Sequence, residues 1–433
     1  MMRRPYHSAR RQSGFTLTEV LVSLVVFTQV ILASLLLFDF SSRVTKVQTR
    51  LSEMQQSLRV AQQEVVKMTR MAGRSGLPVT GPVGPVATQT FPPYGLAVAV
   101  ANNVTGSSEE VFPGLSDTPM AIEGTDILTL RGNFSGLFFQ ATMATLDDTQ
   151  ALATAGTLTV DASTPFIPSQ DLTALWDANT ATVPEALLLV PSTPGVAHAV
   201  LELVPDAANN SADSVTLAFR IRGGGTDLAD TYRGLWTNDP TASFPLPVNS
   251  PCYVAILEEY RLYVRNDGGD APETARPVLS RARLLPGTAL PYGDPNDTPD
   301  PLMLRTDIAQ EVLDLQVSLG YDTSNGGSIG NSELGTILES ADGTADDWLF
   351  NAVGDDETAA PFTVAAANAV PKLYFLRINT LARTAAADRT LEEPVLPRLE
   401  DHVYPTNSGL VNSPRGRKYR RRPLQTIVDL RNL

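Results

Sequence analysis

Residues 14–38 read GFTLTEVLVSLVVFTQVILASLLLF, and this stretch decides the fold. From Phe15 to Phe38 there is one charge, Glu19, and one amide, Gln29. A helix of that length spans about 36 Å, against about 30 Å for the hydrocarbon core of a bilayer. Ahead of it stand Arg3, Arg4, Arg10 and Arg11 and no acid. A secretory signal peptide places its small-residue cleavage site after the apolar run. Here the small residue, Gly14, comes before it. Cleavage after Gly14 removes the basic leader and keeps the helix. The arginines hold the leader on the cytoplasmic side and leave the body outside.

Working outward, Val44, Val47, Leu51, Met54, Leu58, Ala61, Val65, Met68 and Ala72 recur at spacings of three and four. That is one apolar stripe with Gln, Ser, Arg and Lys on the other faces. No proline occurs between 15 and 77, so one helix of about 60 residues is expected, ending near Gly73 and Gly76 before Pro78. The stripe suits a coiled coil or packing on the protein's own sheet.

The chain has 433 residues, of which 43% are hydrophobic, 18% charged, 30 Gly and 32 Pro. These values favour folded strands and loops over disorder or a helical bundle. One cysteine, Cys252, excludes an intrachain disulfide and a multi-cysteine zinc site. The net charge of −14 argues against general nucleic-acid binding. The charge is segregated. Residues 76–414 carry 15 bases and 42 acids, while 39–75 and 415–433 are each net basic.

The Gly14-Phe15-Thr16-Leu17-Thr18-Glu19 sequence resembles the class III leader of type IV pilins and type II secretion pseudopilins. The resemblance implies that a prepilin peptidase cuts after Gly14 and methylates the amine of Phe15. It also implies that Glu19 neutralises the terminal amine of a neighbouring subunit during assembly. A carboxylate within a membrane helix costs several kcal/mol unless paired or protonated, and pairing lowers the cost of burying both groups. The plainer reading of Glu19 is an acid favoured by the helix macrodipole. After such a leader, the stripe is expected to pack on a β-sheet head.

Beyond the Pro/Gly-rich connection 76–95, strands are expected at Tyr94–Val100, Asp126–Leu130, Thr157–Val160, Ala186–Val190, Ala199–Val204 and Ser214–Ile221. The stretch 96–245 carries no motif that points to a family and reads as an all-β module or elaborated loops. Cys252–Arg265 reads as a long strand, Asn266–Gly269 as a turn and Arg276–Leu285 as the return strand. The segments Ile308–Asp322, Val370–Ala382 and Arg420–Asn432 are similar to PilW-like minor pilins. The Leu-Arg-Asn ending is shared with pseudopilins of the GspJ kind.

Other chemistry is weakly signalled. Gly326–Gly330 fits a G-x-S-x-G pattern, with His402 downstream, but Asp322–Asn325 replaces the strand that a nucleophile elbow needs. His198 reads as a structural histidine. The acidic loops Asp294–Asp300, Asp322–Asn325 and Asp342–Asp347 offer oxygens, yet none keeps the spacing of a calcium loop. The basic tail Arg415–Arg422 is expected to pair with the acidic body instead of DNA.

The expected fold is therefore α+β and pilin-like, a long N-terminal α-helix packed on a large antiparallel β-rich head. It divides into a leader (1–14), a transmembrane half-helix (15–38), an amphipathic half-helix (39–75), a β-rich insert or elaborated head (76–251) and a PilW-like head with its C-terminal strand (252–433). The expected function is that of a non-enzymatic minor pilin priming filament assembly or joining the tip. The alternatives are a GspJ-like pseudopilin and a pilus-borne adhesin or ligand-binding head. No cofactor or metal is expected. The expected partners are the prepilin peptidase, other pilin subunits through the N-terminal helix, the bacterial inner membrane before assembly, and a tip adhesin.

Overall fold

The computed structural model describes residues 16–73, 97–104, 121–147, 155–163, 170–180, 185–191, 199–206, 208, 210–221, 248–269, 271–286, 305–322, 347–351 and 372–430. Gly14, Phe15, His198, the Gly326–Gly330 pattern and the acidic loops at 294–300, 323–325 and 342–346 lie outside the described residues. The chain forms two compact units, Met1–Glu53 and Met54–Leu433.

Helix α1 (Leu17–Met71) runs 55 residues, about 82 Å. Within the first unit, every large apolar side chain from Leu17 to Phe40 is at least 43% exposed. The Thr28 hydroxyl is satisfied within the helix, donating to Leu24 O at 2.7 Å. In the second unit the stripe becomes a buried face of Met54, Leu58, Ala61, Val65, Met68 and Ala72. Burying a Val, Leu or Met side chain contributes about 1.5–3 kcal/mol each. Polar ties fix its register. Gln62 Nε2 donates to Leu424 O and its Oε1 accepts from Thr426 Oγ1, both at 2.7 Å. Glu64 pairs with Arg281 at 3.1 Å. The helix ends at Gly73, whose φ of +72° suits glycine and whose N–H donates to Arg131 O.

The described strands, in chain order, are β1 (Val98–Ala101), β2 (Ile127–Gly132), β3 (Phe139–Asp147), β4 (Ala155–Asp161), β5 (Ala186–Pro191), β6 (Ala199–Val204), β7 (Ser214–Arg220), β8 (Pro251–Asn266), β9 (Pro277–Leu284), β10 (Arg305–Gln310), β11 (Val312–Asp322), β12 (Asp347–Phe350), β13 (Lys372–Arg383), β14 (Arg398–Leu399), β15 (His402–Val403) and β16 (Arg421–Asp429). Every pairing is antiparallel. The architecture is thus the α+β, pilin-like one expected from sequence.

Strand β8 organises the head. Its second half pairs with β2 on one side and β9 on the other, giving the sheet β1-β2-β8-β9-β10. Its first half pairs instead with β3 and β5. The path β8-β3-β4-β7-β6-β5 then returns to β8, so six strands close into a barrel. Closure leaves no free edge in this ring. Inward positions alternate, as in Val215, Leu217 and Phe219 between Thr216 and Ala218. They fill the interior with Met143, Leu158, Leu187, Leu189, Leu201 and Val254, joined by Leu175 from the short helix Thr173–Thr180. Gly156 allows this packing, because a Cβ there would lie 2.5 Å from the Phe219 ring.

The segment Ile308–Asp322 spans parts of two strands, β10 and β11. Glu311, at φ +59°, turns the chain from β10 into β11, which belongs to the second sheet, β12-β11-β13-β16. The buried face of α1 shares one core with both sheets, including Leu128, Leu262, Val317, Leu376, Ile378 and Val428.

Candidate functional site

Thr16 and Glu19 build the start of α1. The Thr16 N–H and hydroxyl both donate to Glu19 Oε2 at 3.0 Å, and the Glu19 N–H donates back to Thr16 Oγ1 at 3.3 Å. This is a reciprocal capping box, which satisfies N–H groups that the first helical turn leaves without partners. The T-x-x-E spacing carried that signal, which a macrodipole reading alone misses. The box uses one carboxylate oxygen. Oε1 has no hydrogen bond among the described residues, and the side chain is exposed. This helix is long and apolar enough to cross a membrane.

A second constellation lies inside the head, where sequence reading singled out only His402. Asp314 and Asp126 are both fully buried. Asp314 Oδ2 meets His402 Nδ1 at 2.7 Å and accepts a bond from the Tyr404 hydroxyl. Gln316 Nε2 donates to Asp314 Oδ1 at 3.0 Å. Asp126 Oδ1 accepts from Asn103 N–H at 2.9 Å. Burial pushes the Asp126 carboxyl well above the ordinary carboxylate range, against its two backbone N–H bonds and with help from Asp401 and Asp314. Burial, followed by the Asp314 charge, likewise raises the Tyr404 phenol. The His402 imidazole is wedged against the backbone at Gly124 (φ +81°), where a Cβ would lie 2.3 Å from Nε2. These contacts make His402 a packing and hydrogen-bonding residue. Among the described residues no three His, Cys, Asp or Glu converge as a metal set.

The basic tail is engaged with the body. Arg415 pairs with Glu273, Arg417 with Glu392, and Arg420 with Asp388 at 3.7 Å. Arg421 donates to Val411 O at 3.0 Å and to Pro394 O.

The family profile described as the prokaryotic N-terminal methylation motif matches residues 9–35. No curated protein and no solved structure gives a significant match. The motif, on a long apolar helix ahead of an antiparallel head, makes the chain a type IV pilin- or pseudopilin-like protein. It implies processing by a prepilin peptidase, anchoring in the inner membrane before assembly, and a structural role in place of a catalytic one.

Proposed function

We propose that the protein is a minor pilin of a type IV pilus, similar to the PilW-like kind, that primes filament assembly and joins the tip complex. One observation carries this reading. The apolar half of α1 is exposed on all sides, and the Glu19 Oε1 beside it has no described partner. Such a surface needs lipid before assembly and neighbouring helices afterwards. In this reading cleavage after Gly14 frees the Phe15 amine, and the Glu19 of an incoming subunit pairs with that amine on a neighbour. The head favours the tip. Residues 76–414 carry a net −27, with a radius of gyration of about 20 Å. Repeating it along a shaft would crowd like-charged surfaces within a Debye length of about 8–10 Å.

The Leu430-Arg431-Asn432 ending also fits a GspJ-like pseudopilin of a type II secretion machine. Deletion of the gene, followed by electron microscopy of surface filaments and assay of secreted enzymes, separates the two. A minor pilin predicts loss of pili with secretion intact; loss of secretion with pili intact would replace the pilus reading. Gold labelling of a tag between 222 and 247 then tests placement. Label at filament ends is expected, and label spread evenly along the shaft would refute the tip.

A further inference from the structure

Strand β16 (Arg421–Asp429) is nine residues long and stands at the end of its sheet, where it pairs only with β13 among the described residues. The free side of such a strand is a template for a further one. Pro423 has no N–H to offer there, and Gln62 of α1 already takes Leu424 O. The part left open is Gln425–Val428.

The two faces beside that edge differ. Thr426 and Val428 face α1, since Thr426 Oγ1 donates to Gln62 Oε1 and Val428 lies in the core shared with the helix. Alternation puts Ile427 on the opposite face, where it is 54% exposed. On the α1 face a cavity of about 600 Å³ lies between the helix and Thr426. Its charged lining is Arg59, Lys67 and Arg70, without an acid. Arg59 and Arg70 are exposed and have no ion-pair partner among the described residues, and Lys67 reaches only Glu64, at 3.8 Å. Cations gathered without counter-charges favour an anionic occupant. A strand added to β16 would send every second side chain into this cavity and the others alongside Ile427. The complementary sequence is therefore acidic at alternate positions and apolar between them. Lipid headgroups and nucleic acids are also anionic, but they supply no backbone N–H and C=O groups to a strand edge.

We propose that the open edge of β16 takes up an extended segment of a partner polypeptide in which acidic and apolar residues alternate. The segment pairs its backbone with Gln425–Val428, as strand-adding ligands do. Its carboxylates meet Arg59, Lys67 and Arg70, and its apolar side chains continue the surface begun by Ile427. The site lies within the unit Met54–Leu433 and does not depend on whether the machine is a pilus or a secretion system.

The test is calorimetric titration of the full-length protein in detergent with acetyl-Val-Glu-Val-Glu-Val-Glu-Val-amide. Two control peptides separate charge from strand pairing. One carries lysine for each glutamate. The other keeps the glutamates and has its backbone amides N-methylated, which removes the donors that a strand needs. The expected result is one saturable site for the acidic peptide, with each control bound about tenfold more weakly or worse. Binding should weaken with salt. The double variant Arg59→Gln, Arg70→Gln removes two exposed charges that have no partner among the described residues. It should weaken the acidic peptide about tenfold without moving the melting temperature. No binding of the acidic peptide, equal binding of either control, or indifference to the double variant would overturn the proposal. So would displacement of the peptide by oligodeoxythymidylate, which would mark a nucleic-acid site.

Discussion

Asp126 and Val317, 191 residues apart, are joined at the open edge of β11. Asp126 Oδ2 accepts from Val317 N–H at 2.7 Å, and Asp126 N–H donates to Leu315 O at 2.9 Å. Strand β12 meets β11 only over Leu319–Asp322. Asp126 therefore stands in for a neighbouring strand where β11 would otherwise bury unpaired backbone groups. One residue at the head of β2 thus ties the two sheets.

That tie has a pH signature. Because burial raises the Asp126 carboxyl in the folded state, the folded chain holds a proton that the unfolded chain has already released. The window runs from the ordinary carboxylate value of about 4 up to the raised folded value. Stability from this group is fully present below that window and is lost as pH rises through it. Asp126→Asn should remove this slope in urea unfolding measured across pH. It should also cost about 1–3 kcal/mol, since an amide N–H₂ would face a backbone N–H. A variant with an unchanged slope would show that Asp126 ionises normally.

Arg383 is 1% exposed and anchors the turn from β10 into β11. Its guanidinium donates to Glu311 Oε2 at 2.7 Å, Pro272 O at 2.9 Å and Ala275 O at 2.7 Å. It also lies 4.4 Å from the centroid of the Tyr419 ring. Arg383→Ala should cost about 3–5 kcal/mol, because it leaves Glu311 and two carbonyls without their donor. Chemical denaturation checks this, and a loss below 1 kcal/mol would mean that the site relaxes around the gap.

Cys252 reports on barrel closure. It lies on β8 between Ala141 of β3 and Pro191 of β5, and burial raises its thiol to about 12. At pH 8 the native protein should resist iodoacetamide, with labelling that follows unfolding. Rapid labelling of the native protein would show that β3 or β5 does not hold β8.

Glu19 has two duties, the capping box with Thr16 and the proposed pairing with a neighbouring amine. Glu19→Ala should leave cleavage and membrane insertion intact while reducing recovery in sheared filaments. Loss of the cap alone costs about 0.5–2 kcal/mol. Thr16→Ala removes part of the box and keeps the carboxylate, so it should assemble better than Glu19→Ala. Equal defects in the two variants would assign Glu19 to capping only.

The helix was legible because its signals are local: a run with one charge, a three-four stripe and a terminal glycine. Strands with clean alternation, such as Ser214–Arg220, were legible for the same reason. Barrel closure was not, since it depends on β5 meeting the first half of β8, more than 60 residues later. Strand β3 was missed because its sequence, FQATMATLD, mixes small, polar and apolar residues without a clear period. The break at Glu311 is hidden for another reason, since its carboxylate is held by Arg383, 72 residues away. The hydrogen bond from Asn103 Nδ2 to Asp401 Oδ2 forms only through tertiary folding, between residues 298 apart.

The central claim is that this is a processed, filament-forming subunit, and the intact mass of the protein from native membranes tests it most directly. The account predicts a chain beginning at Phe15 with one added methyl group on its amine. A mature chain that still carries Arg11 would contradict it.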